Sequence, residues 1–328
     1  MTTTQRVSRI VGYCCALGAG AVWGTTGPLS TKLYAEGAAI TGIGFWRLML
    51  GTAGLALWAL LFHRDVFKVD RKGLLLMGGL GGAMVALFEV AYQFGIAGAG
   101  VAGAAALLYT APVMVALVAK PLLGEKLTPL RFALAVVVMI GAAMTVMSKS
   151  GTGTPHATAL PSLVVGIIGG LGAAVSFATT TLLARWTVPR YGSYRMLFWE
   201  ALGGVIIIAV VLGAIGLARS GNVAQLMPLP PTSAGWAYTL ALAVGGVVLA
   251  NFLFFAGVRR IEATPTAVAA TIEPVVGALL AFLLLSQGLT ILGWVGLLLV
   301  VGGVAAGYLK EGSEQELQPQ AEEARRAI

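Results

Sequence analysis

Charged residues are scarce in this chain. Asp, Glu, Lys and Arg make up 10% of its 328 residues, whereas hydrophobic residues make up 58%. Soluble globular domains carry about 25% charged residues, so most of this protein's surface cannot face water. The apolar residues instead form blocks long enough to cross a hydrocarbon core of about 30 Å as helices. The sequence lacks the alternating segments of about 10 residues that are typical of a membrane β-barrel.

Histidine and cysteine are also rare, with two of each. His63 and His156 fall in predicted loops, which leaves no histidine for metal or base chemistry inside the membrane. Cys14 and Cys15 are adjacent on one predicted helix and have no other cysteine to pair with, so we interpret them as packing residues. The glycine-rich stretches lack the Lys-Ser/Thr of a phosphate-binding loop. We therefore expect no cofactor, no metal and no nucleotide-driven motor.

Hydropathy predicts an all-α polytopic membrane protein with ten transmembrane helices. The predicted spans are 10–33, 40–62, 73–97, 101–123, 128–148, 162–184, 194–217, 234–258, 265–285 and 290–309. Residues 1–9 form a short N-terminal segment, and 310–328 is a polar tail that we expect to be disordered. Residues 149–161 form an extracytoplasmic linker between five-helix units at 10–148 and 162–309.

The net charge of +8 is distributed unevenly across the predicted topology. Of the 21 Lys and Arg residues, 17 fall in segments on the side of the N-terminus, three fall on the other side and Arg47 lies within a span. Positively charged residues concentrate on the cytoplasmic side of membrane proteins. Both termini are therefore predicted to be cytoplasmic, in the inner (plasma) membrane. The excess of basic residues is explained by the orientation of the chain in the membrane, so we expect no nucleic-acid partner.

The chain repeats itself. A shift of 162 residues aligns residues 112–130 (PVMVALVAKPLLGEKLTPL) with 274–292 (PVVGALLAFLLLSQGLTIL), with ten identities in nineteen positions. A shift of 153 residues aligns the earlier helices and places the FWR of 45–47 on the FWE of 198–200. Because five helices is an odd number, the second copy must cross the membrane in the opposite direction. Two inverted five-helix repeats are the architecture of secondary transporters, and a duplicated structural scaffold is the alternative.

Several segments carry a family resemblance. WGTTGPLSTK in the first span, FWRLMLG in the second, LGEKLT after the fourth and EPVVGALLAFLLLSQGLTILGWVGLLLVVGGV near the end resemble the drug/metabolite transporter superfamily, in its EamA-type ten-helix branch. The resemblance covers the membrane region and implies a carrier of small metabolites. In length and layout the chain is similar to amino-acid exporters of the YddG type. Ser286-Gln287 departs from the family's Gly-Glu pair, which Gly124-Glu125 keeps, so a role for that glutamate is not implied in the second copy.

Polar and aromatic residues share helix faces near the centre of the predicted membrane. Residues 89, 92 and 93 are spaced i, i+3 and i+4, and the shift of 162 maps them onto 251, 254 and 255. Residues 109 and 271 are paired in the same way, just before two aligned prolines. We expect helices three, four, eight and nine to line a substrate cavity through Glu89, Tyr92, Gln93, Tyr109, Asn251, Phe254, Phe255 and Thr271. Hydrogen bonding and aromatic packing between helices is the alternative.

Charged residues and prolines inside the spans suggest a mechanism. Arg47 and Glu89 lie at similar depth and can form an ion pair between helices two and three, although Arg47 could also be a structural clamp. Glu200 and Glu273 lie near the opposite face with no cation at their level, so each is a candidate proton carrier, and Glu273 could equally be a neutral hydrogen-bonding group. Candidate hinges are the aligned Pro112 and Pro274.

These features predict a secondary transporter that exports small organic metabolites, with amino acids, including aromatic or other apolar ones, as the favoured cargo. Alternating access would be its mechanism, and we expect a monomer whose partners are the cargo and the lipid bilayer. A carrier for phosphorylated or nucleotide-linked sugars is the first alternative, but it should bury several basic residues. An intramembrane enzyme is the second, and no catalytic pairing is evident for it.

Overall fold

The backbone is helical wherever it forms a regular element in the described ranges, as lipid requires of chain segments that must satisfy their own peptide groups. The computed structural model describes residues 3–124, 128–147, 163–285 and 290–326. Its α-helices are Thr3–Gly24 (α1), Thr26–Ala35 (α2), Ile40–Phe62 (α3), Arg71–Gly73 (α4), Gly82–Leu108 (α5), Ala111–Leu123 (α6), Pro129–Met147 (α7), Leu163–Tyr191 (α8), Ser193–Ser220 (α9), Ser233–Leu242 (α10), Ala250–Arg260 (α11), Ala263–Ala270 (α12), Glu273–Leu285 (α13) and Ile291–Arg326 (α14). Two π-helical stretches, Leu74–Gly81 and Ala243–Leu249, join α4 to α5 and α10 to α11, and Arg64–Phe67 is a 3₁₀ turn.

The helices account for ten membrane crossings. In the part of the chain described, seven helical segments are long and apolar enough to cross a bilayer, and Pro129–Met144 and Ile291–Gly307 are shorter apolar helices. The remaining crossing, the ninth along the chain, is the broken pair α12 and α13. The predicted all-α polytopic class is therefore confirmed, and the protein is a multi-pass membrane protein. The linker 149–161 lies outside the described residues.

Two boundaries differ from the prediction. The first span is interrupted at Thr25, between α1 and α2. Helix α5 runs through the turn expected at 98–100, but a Cβ on Gly95 would lie 3.2 Å from the Cβ of Ala104. Nine residues of straight helix would separate these positions by about 13.5 Å, so α5 folds back on itself between them. Helix α5 therefore belongs to both the third and the fourth crossings, and α6 completes the fourth.

The C-terminal tail also differs from the prediction. Residues from 310 onward were expected to be disordered, whereas α14 continues as a helix to Arg326. This tail is rich in Glu, Gln and Ala, which are strong helix formers, and it extends a membrane helix that has already paid the cost of nucleation.

Antiparallel pairs of helices build the bundle. Helix α1 packs along α11 and the π stretch before it, because a Cβ on Gly12 would touch Ile261 and the indole of Trp23 donates a hydrogen bond to the carbonyl of Gly246. Helix α8 packs along α5 in the same way, where the hydroxyl of Ser176 donates to the carbonyl of Met84. Helices α7 and α14 form a third antiparallel pair through close glycine contacts.

The first two pairs are related by the internal repeat. Shifts of 153 and 162 residues convert the Trp23–Gly246 hydrogen bond into the Ser176–Met84 one. The same shifts convert the packing of Gly51 on Val247 into that of Gly204 on Val85. Contacts between the halves thus occur in equivalent pairs, which is the relation expected of two repeats that clasp each other about a pseudo-twofold axis.

Contacts between loop ends define two flanks of the bundle. On one flank, Arg195 forms an ion pair with Asp65 at 2.9 Å, and Arg131 pairs with Glu262. On the opposite flank, the indole of Trp46 donates to the carbonyl of Pro228 at 3.1 Å. We name the flank with the two ion pairs the basic flank, after its arginines. Its contacts join helix ends that the charge distribution assigns to one side of the membrane. Every one of these contacts agrees with the alternation of ten crossings.

Candidate functional site

Two broken helices meet at the centre of the bundle. Helix α5 ends at Leu108 and α6 begins at Ala111, while α12 ends at Ala270 and α13 begins at Glu273. At the breaks the hydrogen bonds shorten to the i→i−3 pattern, from Thr110 N to the Leu107 carbonyl and from Ile272 N to the Ala269 carbonyl. The two breaks are equivalent under the shift of 162 residues. Broken helices at membrane depth are tolerated where they are buried in protein or line a cavity.

The two prolines stabilise the half-helices rather than kinking a continuous one. Pro112 is the second residue of α6, and Pro274 is the second residue of α13. The first-turn amides of a helix have no intrahelical acceptor, so proline loses nothing there and its fixed φ suits the start of a helix. The predicted hinge residues therefore mark a break that is already present, and each proline follows the bending point instead of forming it.

A small chamber lies at the crossing of the breaks. Its volume is about 30 Å³, far below the roughly 300–1,000 Å³ of pockets that hold drug-sized molecules. The chamber is lined by Trp23, Leu108, Tyr109, Ala111, Pro112, Phe177, Ala267, Ala270, Thr271 and Glu273. Four of the residues singled out from the sequence, Tyr109, Thr271, Glu273 and Pro112, meet in this one place. In this state the chamber is too small for an organic solute.

Pseudo-symmetric pairs of residues face this chamber. The shift of 162 residues pairs Leu108 with Ala270, Tyr109 with Thr271, and Ala111 with Glu273. The pseudo-twofold axis therefore passes through or beside the chamber. The two members of each pair differ, because the first repeat contributes bulk and a phenol whereas the second contributes a small hydroxyl and a carboxyl.

Two glycines of α1 allow the second break to form. A Cβ on Gly20 would overlap the carbonyl oxygen of Ala270, and one on Gly24 would lie 2.7 Å from the carbonyl oxygen of Glu273. Spaced four residues apart, they present a small-residue face of the kind that lets membrane helices approach closely. Helix α1 therefore lies directly against both ends of the break.

Two aromatic rings of the chamber wall, those of Trp23 and Phe177, pack against the ring of Phe254 behind them. The ring of Trp23 lies 5.9 Å from that of Phe177 and 5.5 Å from that of Phe254, and the rings of Phe177 and Phe254 are 5.3 Å apart. Such edge-on and tilted contacts fix the rings in place. Trp23 and Phe177 were not among the predicted site residues, since neither belongs to the four helices expected to line the cavity.

Other predicted cavity residues lie outside this chamber. The amide of Asn251 donates to the carbonyls of Gly246 and Val247 in its own helix. Phe254 and Phe255 are 2% and 0% exposed and belong to the hydrophobic core. For these three residues the alternative of helix packing describes the structure better, because the π stretch leaves carbonyls for the amide to satisfy and the rings fill space between helices.

The third-helix residues have separate roles. Tyr92 stacks on Phe88, with ring centroids 5.5 Å apart, and the side chain of Gln93 is outside the described part of the chain. Glu89 is engaged by Arg47, whose guanidinium donates to both carboxylate oxygens at 2.6 and 2.7 Å. Both side chains are largely buried. The predicted ion pair between helices two and three is therefore confirmed, and it holds Glu89 away from the chamber.

Glu200 is a buried acid whose Oε2 atom has no hydrogen-bond partner in the part of the chain that the structure describes. Its side chain is 2% exposed. It lies on α9 where a Cβ on Gly81, at the end of the π stretch, would come within 3.2 Å of the Glu200 Cβ. The shift of 153 residues places Glu200 at the position that Arg47 occupies in the first repeat. The two copies thus differ at this position, which holds a paired cation in one and an unpaired acid in the other.

A larger cavity opens on the basic flank. It has a volume of about 360 Å³ and is lined by Leu123, Gly124, Arg185, Trp186, Pro189, Arg190 and Glu262. This is within the usual range for pockets that hold small molecules. The guanidinium of Arg190 lies 3.9 Å from the centre of the Trp186 ring, and Arg185 donates to the carbonyl of Val258. This cavity, which we name the vestibule, lies on the side where most basic residues lie.

Comparison with known proteins agrees with this architecture. The model of the EamA-like transporter family matches residues 10–147 and again residues 164–308. The uncharacterized transporter YetK of Bacillus subtilis (strain 168) is 24% identical over 241 residues, which cover 73% of this chain and 69% of that protein. A solved structure, described only as the crystal structure of a protein, aligns with a TM-score of 0.73 and 19% identity over 93% of this chain and 97% of that one. That last likeness shows the fold alone, and the two family matches correspond to the two repeats.

Proposed function

Because the chain belongs to the EamA-like transporter family, we propose that it exports small organic metabolites, with amino acids as the favoured cargo. The observation that carries this proposal is the chamber at the two helix breaks, where a phenol, a hydroxyl, a carboxyl and aromatic rings converge on a pseudo-twofold axis. Broken helices at the interface of inverted repeats form the substrate sites of many secondary transporters.

The chamber offers complementary groups for each part of an amino acid. Helices α6 and α13 begin at the chamber, and the partial positive charge of a helix N-terminus favours a carboxylate. Glu273, in the first turn of α13, offers an oxygen for an ammonium group. Trp23 and Phe177 offer apolar surface for a side chain. This set of groups favours a zwitterion with an apolar side chain.

A phosphorylated cargo fits the chamber poorly. Recognition of phosphate relies on Arg or Lys donors, and none of the residues that line the chamber in the described part of the chain is basic. The carboxyl of Glu273 would repel a phosphate placed there. Sugar-phosphate transport is therefore the less favoured function.

In an alternating-access mechanism, this small chamber would be the place where cargo binds between the two open states. The chamber is too small for cargo in the present state, so it must widen, and the vestibule on the basic flank supplies the route on that side. Exchange of conformations between the two repeats would open the chamber to the opposite flank. We propose that the basic flank is cytoplasmic and that the protein lies in the inner membrane.

Counterflow in proteoliposomes tests the proposed function. Vesicles preloaded with an unlabelled amino acid should accumulate the same labelled compound from outside, and apolar amino acids should compete better than sugar phosphates. Accumulation equal to that of protein-free vesicles across an amino-acid panel would remove amino acids as the cargo.

The chamber predicts an effect for Thr271→Val. The Thr271 hydroxyl donates to the Ala267 carbonyl, which leaves its lone pairs to accept a hydrogen bond from cargo. Loss of one such bond costs about 0.5–1.5 kcal/mol, which corresponds to a roughly 2–10-fold rise in the half-saturating concentration in counterflow. Thr239→Val is the matched control, since Thr239 is buried and donates to the carbonyl of Gly235 in the same way, outside the chamber. Equal effects of the two substitutions would contradict the chamber assignment.

The proposed orientation predicts a labelling pattern. His63 lies at the basic flank and Ser220 at the opposite one, and both are exposed. In a background with Cys14 and Cys15 replaced by alanine, Ser220→Cys should react with an impermeant maleimide on intact cells. His63→Cys should react only after the membrane is permeabilised. The reverse pattern would invert the proposed orientation.

A further inference from the structure

Glu200 is a carboxyl group in the interior of the bundle, and the described residues place no counterion beside it. It is 2% exposed, and its Oε2 atom has no hydrogen-bond partner among those residues. Seven residues of helix separate it from Ser193, which places it about 10 Å along α9 from the basic flank. An ionised carboxylate at such a place would keep its full desolvation cost, several kcal/mol even after relaxation. The neutral, protonated form is the one that fits this environment.

The charged groups of the helices packed against α9 do not face this carboxyl. Arg47 of α3 binds Glu89 of α5, and Arg185 of α8 donates to the carbonyl of Val258. The other arginines on the elements packed against α9 are exposed: Arg64, Arg190, Arg259 and Arg260. Asp65, from the 3₁₀ turn, pairs with Arg195 of α9 itself at the flank. A change in the protonation of Glu200 therefore depends on its contact with water rather than on a neighbouring charge.

The interface that covers Glu200 consists largely of glycines and includes the end of a π-helical stretch. Glu200 packs against Gly81, the last residue of a π-helical stretch, and π-helical turns are frequent at functional sites. One turn further along α9, Gly203 contacts the backbone of Gly78 and Gly82. Small-residue contacts of this kind have few interlocking side chains, so the two helices can slide or part without repacking a core.

The geometry points to Glu200 as a reversible proton-binding site whose proton is held while α9 and α5 are packed together and released to water when they separate. This inference rests on the proposed transport function, and it adds that the transport cycle moves a proton. On release, the O–H bond of the carboxyl breaks and a water molecule accepts the proton. On return to the packed state, the carboxylate takes a proton from water before it is buried.

Infrared difference spectroscopy tests the proton site without any cargo. Purified protein in lipid vesicles should show the carbonyl stretching band of a protonated carboxyl at neutral pH, and Glu200→Gln should lose that band. Asp65→Asn is the matched control, since the Asp65 carboxylate is exposed and paired with Arg195, and it should retain the band. A spectrum that Glu200→Gln leaves unchanged would overturn the proposal. If Glu200→Gln does not fold, Glu200→Asp should keep the band at a shifted frequency, and loss of the band there would overturn the proposal equally.

A transport measurement tests the link to the cycle. Counterflow of an amino acid by the wild-type protein should change when a pH gradient is imposed across the vesicles, whereas Glu200→Gln should exchange at equal pH and show no response to the gradient. A variant that responds as the wild type does would refute the link. Should the wild type carry none of the amino acids, the proposed function fails, and the infrared result still decides whether Glu200 binds a proton.

Discussion

Gly203→Ala is expected to destabilise the folded protein by about 3 kcal/mol, the upper end of the usual range for overpacking. A Cβ at this position would overlap the carbonyl oxygen of Gly78 and lie 3.1 Å from the Cα of Gly82. Both neighbours are backbone atoms, which cannot rotate away as a flexible side chain can. The methyl group must therefore push α9 away from the π stretch and α5. The thermal unfolding midpoint in detergent micelles measures the change.

Gly54→Ala provides a matched control for this substitution. Gly54 also lies inside a membrane helix, but a Cβ there would have no atom within 4 Å. Alanine is preferred over glycine in a helix interior by about 1 kcal/mol, so this variant should unfold at the same temperature as the wild type or slightly higher. Equal midpoints for Gly203→Ala and the wild type would show that the two helices are not in the close contact described.

Removal of either partner of the Arg47–Glu89 ion pair is expected to destabilise the protein by about 3–5 kcal/mol, because it leaves the other charge buried without compensation. The guanidinium binds both carboxylate oxygens, and the two side chains are 12% and 7% exposed. Arg47→Met and Glu89→Met should each lower the unfolding midpoint. The double variant should recover most of the loss, since apolar replacement of a whole buried pair is often neutral.

The pair formed by Arg195 and Asp65 is the control for this experiment. Asp65 is 62% exposed at the basic flank, and exposed ion pairs contribute about 0–1 kcal/mol. Asp65→Asn should therefore leave the midpoint nearly unchanged. An equally small effect of Glu89→Met would mean that water reaches the Arg47–Glu89 pair and that the pair is not part of the core.

The order of the helices and the pairing of equivalent residues could be predicted from the sequence for physical reasons, whereas the helix breaks before Pro112 and Pro274 could not. Apolar blocks must span the hydrocarbon core, and a duplicated chain keeps equivalent residues in equivalent places, so Tyr109 and Thr271 were identified as partners by alignment alone. Arg47 and Glu89 could be paired by depth, because a buried charge in lipid needs a counterion and only one was available at that level.

The contacts of individual side chains were harder to predict from the sequence. The periodicity of residues 89, 92 and 93 places them on one helix face, but it does not show which neighbour that face meets, and Glu89 points to Arg47. Asn251 bonds to its own helix because a π stretch, which no local sequence pattern signals, leaves carbonyls within its reach. Trp23 enters the chamber because Gly20 and Gly24 bring α1 against the break, a tertiary contact that only the folded helices reveal.

The unequal pairs around the chamber have a consequence for how a molecule would travel through it. A chamber with exact twofold symmetry would bind a cargo molecule equally well in either of two opposite orientations. Here the repeat pairs the phenol of Tyr109 with the hydroxyl of Thr271, and the methyl of Ala111 with the carboxyl of Glu273, so the two halves of the chamber lining are chemically distinct. A cargo molecule with an ammonium group at one end would keep the same orientation from entry to exit, while the two repeats of the protein exchange conformations.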